Sequence, residues 1–173
     1  MDVSFTGKDA QNQGTSTHAK ALSATTDTVQ FELLSLPTWN SLSGAEQRCG
    51  HEGLYESCKL AAIIYSNAVL MALPPRSGWH TRLAGQLRDI LEKSKFPEWP
   101  EHFRQVLLWT LSVGALAAFR SEHRAFFEDA LRSTLRDLQM QKASWAEVEA
   151  ILQEFLWSRK ACRHGAAVLW QGL

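Results

Sequence analysis

The chain has 173 residues, which is enough for one domain with a substantial hydrophobic core. Lysine plus arginine and aspartate plus glutamate both number 18, so the net charge is zero. This balance argues against a domain whose main task is to hold a phosphate backbone, because such domains carry a basic excess. We therefore expect no direct nucleic acid binding, and zero charge also leaves little electrostatic protection against self-association.

The cysteines and the apolar runs indicate a soluble, intracellular protein, nuclear or cytoplasmic. Three scattered cysteines, Cys49, Cys58 and Cys162, do not form a disulfide framework, which favours a reducing compartment. The first residues are polar, without an apolar run, so we expect no signal peptide. The longest apolar run, 106–119, is shorter than the ~20 residues that a membrane span needs. We expect no membrane insertion.

The first part of the chain differs in composition from the rest. Residues 1–28 are rich in serine, threonine, glutamine and asparagine, and have too few large apolar side chains to offset the entropy of ordering them. We predict a disordered polar tail over 1–28 and a helical domain over 29–173. The domain begins with a short apolar segment that Pro37 ends after one or two helical turns.

From residue 52 onward, apolar spacing predicts one helix after another. The predicted helices cover residues 52–73, 78–95, 101–118 and 122–141, then one that starts at 145 and one over 160–170. The helices over 52–73 and 101–118 are apolar almost all round, which is typical of central, buried helices. The fold class is therefore all-α, an orthogonal or bundled domain of five to six helices with two of them central.

Capping signals give some of the helix boundaries. Ser121 is a candidate N-cap for the helix over 122–141. Ser144 and Glu147 fit a capping box, in which each side chain bonds the backbone N–H of the other residue.

The apolar positions predicted for the fourth helix, over 122–141, are Ala125, Phe126, Ala130, Leu131, Leu135 and Leu138.

Motifs for enzymatic chemistry are missing from the sequence. It has no nucleophile elbow, no P-loop and no dinucleotide fingerprint, so we predict no catalytic residues and no cofactor, and an enzyme is the less favoured class. Cys49 with His51 and Cys162 with His164 are a weak zinc candidate. Their spacing is unusual and the two pairs lie far apart in sequence, so we predict no metal site.

Two sets of charged or titratable residues are better explained as ordinary surface residues than as functional sites. His80, His102 and His123 lie near predicted helix starts, two of them beside a glutamate, and we interpret them as solvated rather than as an acid–base site. A row of arginines follows four-residue steps around Glu128: Arg120, Arg124, Arg132 and Arg136. Such a row winds around a helix, so an ion-paired, solvated face is favoured over a phosphate-binding one.

Five of the seven tryptophans lie on or near apolar helix faces: Trp79, Trp109, Trp145, Trp157 and Trp170. Large aromatic side chains are most often plain core. The functional alternative is a pocket that these five tryptophans line and that takes a hydrophobic small molecule.

Several apolar blocks, in order, resemble a known family. LAAIIYSNAVL (60–70) with LPP (73–75), then LLWTLSVGALAA (107–118), then the tryptophan-rich ending, are similar to the C-terminal part of the fungal-specific transcription factor domain. This domain is the helical regulatory region of zinc binuclear cluster (Zn2Cys6) regulators. The resemblance spans roughly residues 30–173 and lies mostly in core positions, so it implies fold more than function.

The resemblance implies a role in transcription regulation without direct DNA binding. The six-cysteine zinc cluster that reads DNA in the family has no counterpart here, and the match corresponds to the last part of the family's longer regulatory region. We expect a truncated regulator that acts through protein–protein association, with a protein partner or as a homo-oligomer. The alternative is a small-molecule binder, or an enzyme of secondary metabolism, that reuses the helical scaffold with the tryptophan-lined pocket.

Overall fold

The computed structural model describes residues 28–44, 51–69 and 78–173. The chain divides into two compact units, Met1–Ser35 and Leu36–Leu173. The first unit is described over 28–35, which is helical, and the second is the helical domain. Most of the tail predicted over 1–28 lies outside the described residues, as do 70–73, the end of the first predicted long helix.

The described part of the second unit is all-α, as the sequence predicts. Its α-helices are α1 (Glu52–Val69), α2 (Trp79–Lys93), α3 (Arg104–Ala117), α4 (Arg124–Asp137), α5 (Trp145–Gln153) and α6 (Arg159–Gly172). Single 3-10 turns lie at Trp39–Ser41, Phe96–Glu98 and Glu101–Phe103. Among the described residues, no helix is long and apolar enough to cross a bilayer.

Helix α3 is the centre of the domain and contacts all five other helices. Its side chains are buried on every face, from Leu107 and Leu108 to Leu111 and Ala115. Two residues with hydroxyl groups and one glycine allow α3 to be buried on every face. Thr110 and Ser112 donate to the carbonyl oxygens four residues earlier in α3, so their buried hydroxyls are satisfied. Gly114 allows the Phe127 ring of α4 to lie against the α3 backbone.

The predicted helix boundaries hold at α5 and fail at α4. Ser144 accepts from the Glu147 N–H, and the Glu147 carboxylate accepts from the Ser144 N–H, so the capping box is confirmed. Ser121 is wrong as an N-cap, since its hydroxyl donates to the Ala118 carbonyl oxygen and α4 begins three residues later. A left-handed residue, Gln139 with φ 58°, follows α4 and stops it before the predicted end at 141.

The apolar face of α4 also differs from the predicted one. Phe127, which the spacing argument leaves out, is completely buried, whereas Ala125 is exposed. The space for the Phe127 ring exists because a glycine lies opposite it on another helix. The spacing of apolar residues within α4 cannot reveal such a space.

The closing helix α6 is covered by its own domain. It buries Cys162, Ala166 and Leu169, and Gly165 lets Leu116 of α3 approach closely. The Ser158 hydroxyl accepts from the Ala161 N–H and caps the helix. Arg159 forms an ion pair of 2.9 Å with Glu149, a carboxylate that α5 holds almost fully buried.

Candidate ligand site

A cavity of about 600 Å³ lies between the C-terminal half of α1, the first turn of α2 and the end of α3. Its walls are mostly apolar and include Ile64, Val113, Leu116 and Phe119. Four polar side chains share this cavity: Tyr65, His80, Thr81 and Arg120. The volume is within the range of small-molecule sites, which combine apolar walls with a few polar groups. No aspartate or glutamate is among the described residues that line it.

Tyr65 reaches the cavity from α1 and also ties α1 to α6. Its hydroxyl oxygen accepts from the Ser158 N–H at 2.5 Å. Burial, with the neighbouring Cys162 thiol as a further contribution, raises the pKa of Tyr65 to about 12. The hydroxyl therefore keeps its proton at neutral pH, and it is hydrogen-bonded to the Cys162 thiol as well as to Ser158.

His80, in the first turn of α2, is half-buried. Its Nε2 atom is shielded from solvent and has no hydrogen-bond partner among the described residues. Burial lowers the pKa of His80, so the ring is neutral at pH 7. A buried ring nitrogen without a partner costs free energy, and a polar group of a ligand could offset that cost.

Arg120 lies at the mouth of the cavity in a turn after α3. Its φ of 60° is in the left-handed region, which arginine rarely adopts. Its guanidinium carbon lies 5.1 Å from the centre of the Phe119 ring, a cation–π contact, and Phe119 itself is 48% exposed. Among the described residues, Arg120 forms no ion pair that satisfies its charge.

Three of the five tryptophans proposed as a pocket lie together. Trp145 is in ring contact with Trp157 at 6.3 Å and with Trp170 at 5.7 Å. Trp109 packs instead against Phe155 and donates to the Leu156 carbonyl oxygen, and Trp79 lies 42% exposed at the start of α2. The pocket over all five stays a prediction. The buried Trp157 N–H has no acceptor among the described residues.

The other residues of interest in the sequence are placed separately. His102 stacks on its neighbour Phe103, and His123 packs against Gly85 with Glu122 3.9 Å away. Cys49 lies outside the described residues, so the four-ligand zinc hypothesis stays untested. Within the described residues, no three metal-ligating side chains form a cluster.

The arginine row is confirmed as ion-paired at two positions. Arg124 lies 2.6 Å from Glu128 and also donates to the Ala115 carbonyl oxygen, and Arg132 lies 2.7 Å from Asp129. Arg120 points elsewhere, to the cavity. Sequence spacing groups Arg120 with α4, but the turn before α4 places it with Tyr65 and His80. Only the folded structure shows that Arg120 is separate from the other arginines of the row.

Comparison with known proteins agrees with this architecture. The family model described as the fungal specific transcription factor domain matches residues 7–166. The match starts further toward the N-terminus than the resemblance over 30–173. No curated protein and no solved structure matches significantly. Because the family model covers most of the sequence and the described fold is all-α, the chain belongs to the fungal specific transcription factor domain family.

Proposed function

We propose that this chain, whose family assigns it to transcription regulation, acts by protein–protein association in the nucleus and does not itself contact DNA. The charge balance supports the second half of this proposal, since 18 basic and 18 acidic residues give no excess for phosphate. The two ion-paired arginines of α4 lower the basic surface further.

The observation that carries the association is the helical stretch over residues 28–35. Val29, Phe31 and Leu34 are 40%, 69% and 61% exposed. Apolar positions lie around most of this stretch, and a helix of that kind is normally buried. Its one charged residue is Glu32. A second copy of the chain is the occupant that fits, because two neutral molecules approach each other without electrostatic repulsion.

Sedimentation velocity of the full chain tests this association. We expect a dimer at micromolar concentration, and we expect the double variant Phe31→Ser/Leu34→Ser to sediment as a monomer. The matched control is Leu156→Ser/Val168→Ser, which removes two exposed apolar side chains from the helical domain and should leave the dimer intact. A wild-type monomer at high concentration, or equal dissociation in both double variants, would contradict the proposal.

DNA binding is tested separately by fluorescence anisotropy with labelled duplex DNA. We expect no saturable binding at moderate salt. Saturable binding that weakens steeply with salt would show that the chain holds phosphate groups directly. Localisation of a tagged full-length chain in fungal cells tests the nuclear part, and a signal excluded from the nucleus would contradict it.

A second candidate function is the binding of a small hydrophobic molecule. The cavity at Tyr65, His80 and Arg120 favours it, since the His80 Nε2 atom has no partner among the described residues and lies with Arg120 beside apolar walls. The tryptophan-lined pocket remains the predicted alternative location. Quenching of tryptophan emission by a titrated apolar probe, compared between wild type and Trp157→Phe, tests that location. Identical quenching curves would exclude Trp157 from the binding site.

A further inference from the structure

We infer that the cavity at the end of α3 takes an apolar carboxylic acid, with its carboxylate at Arg120 and its apolar body against α1 and α3. This inference deepens the second candidate function by naming the class of ligand. It is independent of the proposed association between chains.

The charge at the cavity selects an acid over a neutral or basic ligand. Arg120 brings a full positive charge to the rim, and no carboxylate among the described residues neutralises it. Two other arginines of the row, Arg124 and Arg132, are each paired with an acid of α4. A planar guanidinium binds a carboxylate through two parallel hydrogen bonds, so an acid is the matching group.

Of the remaining polar groups, His80 can serve the same carboxylate or a second polar atom. Tyr65 keeps its proton and is hydrogen-bonded to the Ser158 N–H and to the Cys162 thiol, so it lies in the cavity wall as an uncharged group. His80 is neutral, and its Nε2 atom has no partner in the part of the chain that the structure describes. A neutral imidazole donates from one nitrogen and accepts at the other. Neither group adds a negative charge that would repel the acid.

The apolar walls determine the size and apolar character of the ligand body. Ile64 of α1 and Val113 of α3 are nearly fully buried and form the floor, whereas Phe119 lies at the rim beside Arg120. About 600 Å³ accommodates a bicyclic or medium-chain body. Apolar burial supplies affinity, and the single charge supplies orientation.

The experiment compares three probes of nearly equal shape on the full chain by isothermal titration calorimetry. The probes are 2-naphthoate, the uncharged 2-naphthamide and the cationic 2-naphthylmethylamine. We expect 2-naphthoate to bind at least about tenfold more tightly than 2-naphthamide, because a charge-assisted pair contributes more than a neutral hydrogen bond. The amine should bind least.

Two variants locate the site, and one is the control. Arg120→Gln should weaken 2-naphthoate binding about tenfold and leave 2-naphthamide unchanged. Ala68→Trp fills the cavity from an exposed position of α1 and should weaken both probes. Arg136→Gln makes the same change at an exposed arginine of α4 outside the cavity and should change neither. Far-UV circular dichroism and thermal melting confirm that each variant is folded.

The outcomes separate this inference from the function on which it rests. Equal binding of the acid and the amide, abolished by Ala68→Trp, would overturn the acid specificity but keep a small-molecule site. Binding that neither Arg120→Gln nor Ala68→Trp changes would place the probe elsewhere and overturn the inference. No binding of any probe at millimolar concentration would overturn both the acid and the cavity as a ligand site.

Discussion

Helices α1 and α3 have similar apolar patterns, yet they are buried to different extents. Ten of the 14 residues of α3 are buried, against five of the 18 residues of α1. Helix α3 has a neighbour on each side, whereas α1 packs mainly on α2 and α3 and borders the cavity with part of its remaining surface. Several of its large side chains, including Leu60, Ile63 and Tyr65, are only half-buried.

The buried side of α1 is unusually polar. Ser57, Ser66 and Asn67 are all less than 5% exposed. Each donates to a carbonyl oxygen of its own helix, which satisfies a buried donor of each side chain. An apolar pattern therefore indicates that a helix must be covered, but not how completely its own domain does so. The half-covered helix is also the one that borders the proposed ligand cavity.

The largest contrast is expected between two leucines truncated to alanine. Leu111→Ala in α3 removes a fully buried side chain and should lower the free energy of unfolding by about 2–5 kcal/mol. Leu60→Ala in α1 should cost roughly 1 kcal/mol, because its side chain already contacts solvent. Urea denaturation at pH 7 measures both. Equal losses would show that α1 is as fully covered as α3.

The tight contact at α3 should tolerate no added methyl group. A Cβ on Gly114 would lie 2.2 Å from Cε1 of Phe127, so Gly114→Ala should destabilise by about 1–3 kcal/mol through overpacking. Combining it with Phe127→Leu should recover part of the strain. Gly44→Ala is the control, since none of the described residues lies within 4 Å of a Cβ there. A neutral Gly114→Ala in a thermal melt would mean that α4 moves freely away from α3.

The two tyrosines of α1 provide a matched pair. Tyr65→Phe leaves the Ser158 N–H without its acceptor and should cost about 1–2 kcal/mol. Tyr55→Phe removes a hydrogen bond to the Pro37 carbonyl oxygen at an exposed site, and its cost should be about 0.5 kcal/mol. Guanidinium denaturation compares them. The reverse order would place the main anchor of α1 at its N-terminal half.

The smallest effect concerns pH at the cavity. Burial lowers the pKa of His80 in the folded protein, so the unfolded chain binds more protons there and stability rises with pH. This contribution is complete above the unfolded pKa, about 6.5, and is lost as the pH falls below it. His80→Gln should flatten the change in melting temperature between pH 7 and pH 5, which thermal melts at the two pH values measure. An unchanged slope in this variant would contradict the burial of the His80 ring in the folded protein.

Local signals in the sequence were sufficient for most of the fold. Apolar spacing and the pair Ser144 and Glu147 predict the helical class, the central position of α3 and the start of α5. They fail where the outcome depends on another helix. Ser121 is of a residue type that often caps helices. In the turn where Arg120 has a positive φ, however, the Ser121 hydroxyl donates to the Ala118 carbonyl oxygen instead of accepting from α4. Phe127 is buried because of Gly114, a residue of another helix.

The cavity could not be predicted from the sequence for the same reason. Tyr65, His80 and Arg120 come from three elements, and nothing in their local patterns places them together. The five tryptophans drew attention because of their size, whereas the half-covered wall of α1 shows only once the neighbours of each helix are known. Composition indicates how much apolar surface must be buried, and packing alone decides where a space is left.

The hydrogen bond between Tyr65 and Ser158 has a consequence for synthesis on the ribosome. Its two partners are 93 residues apart. At elongation rates of about 5–20 residues per second, Tyr65 is added to the chain about 5–20 s before Ser158. During that interval α1 can pair with α2 and α3, but its hydroxyl anchor has no partner and α6 does not yet exist. The Tyr65 side of α1 therefore lacks its partner at Ser158 until the last part of the domain has been made.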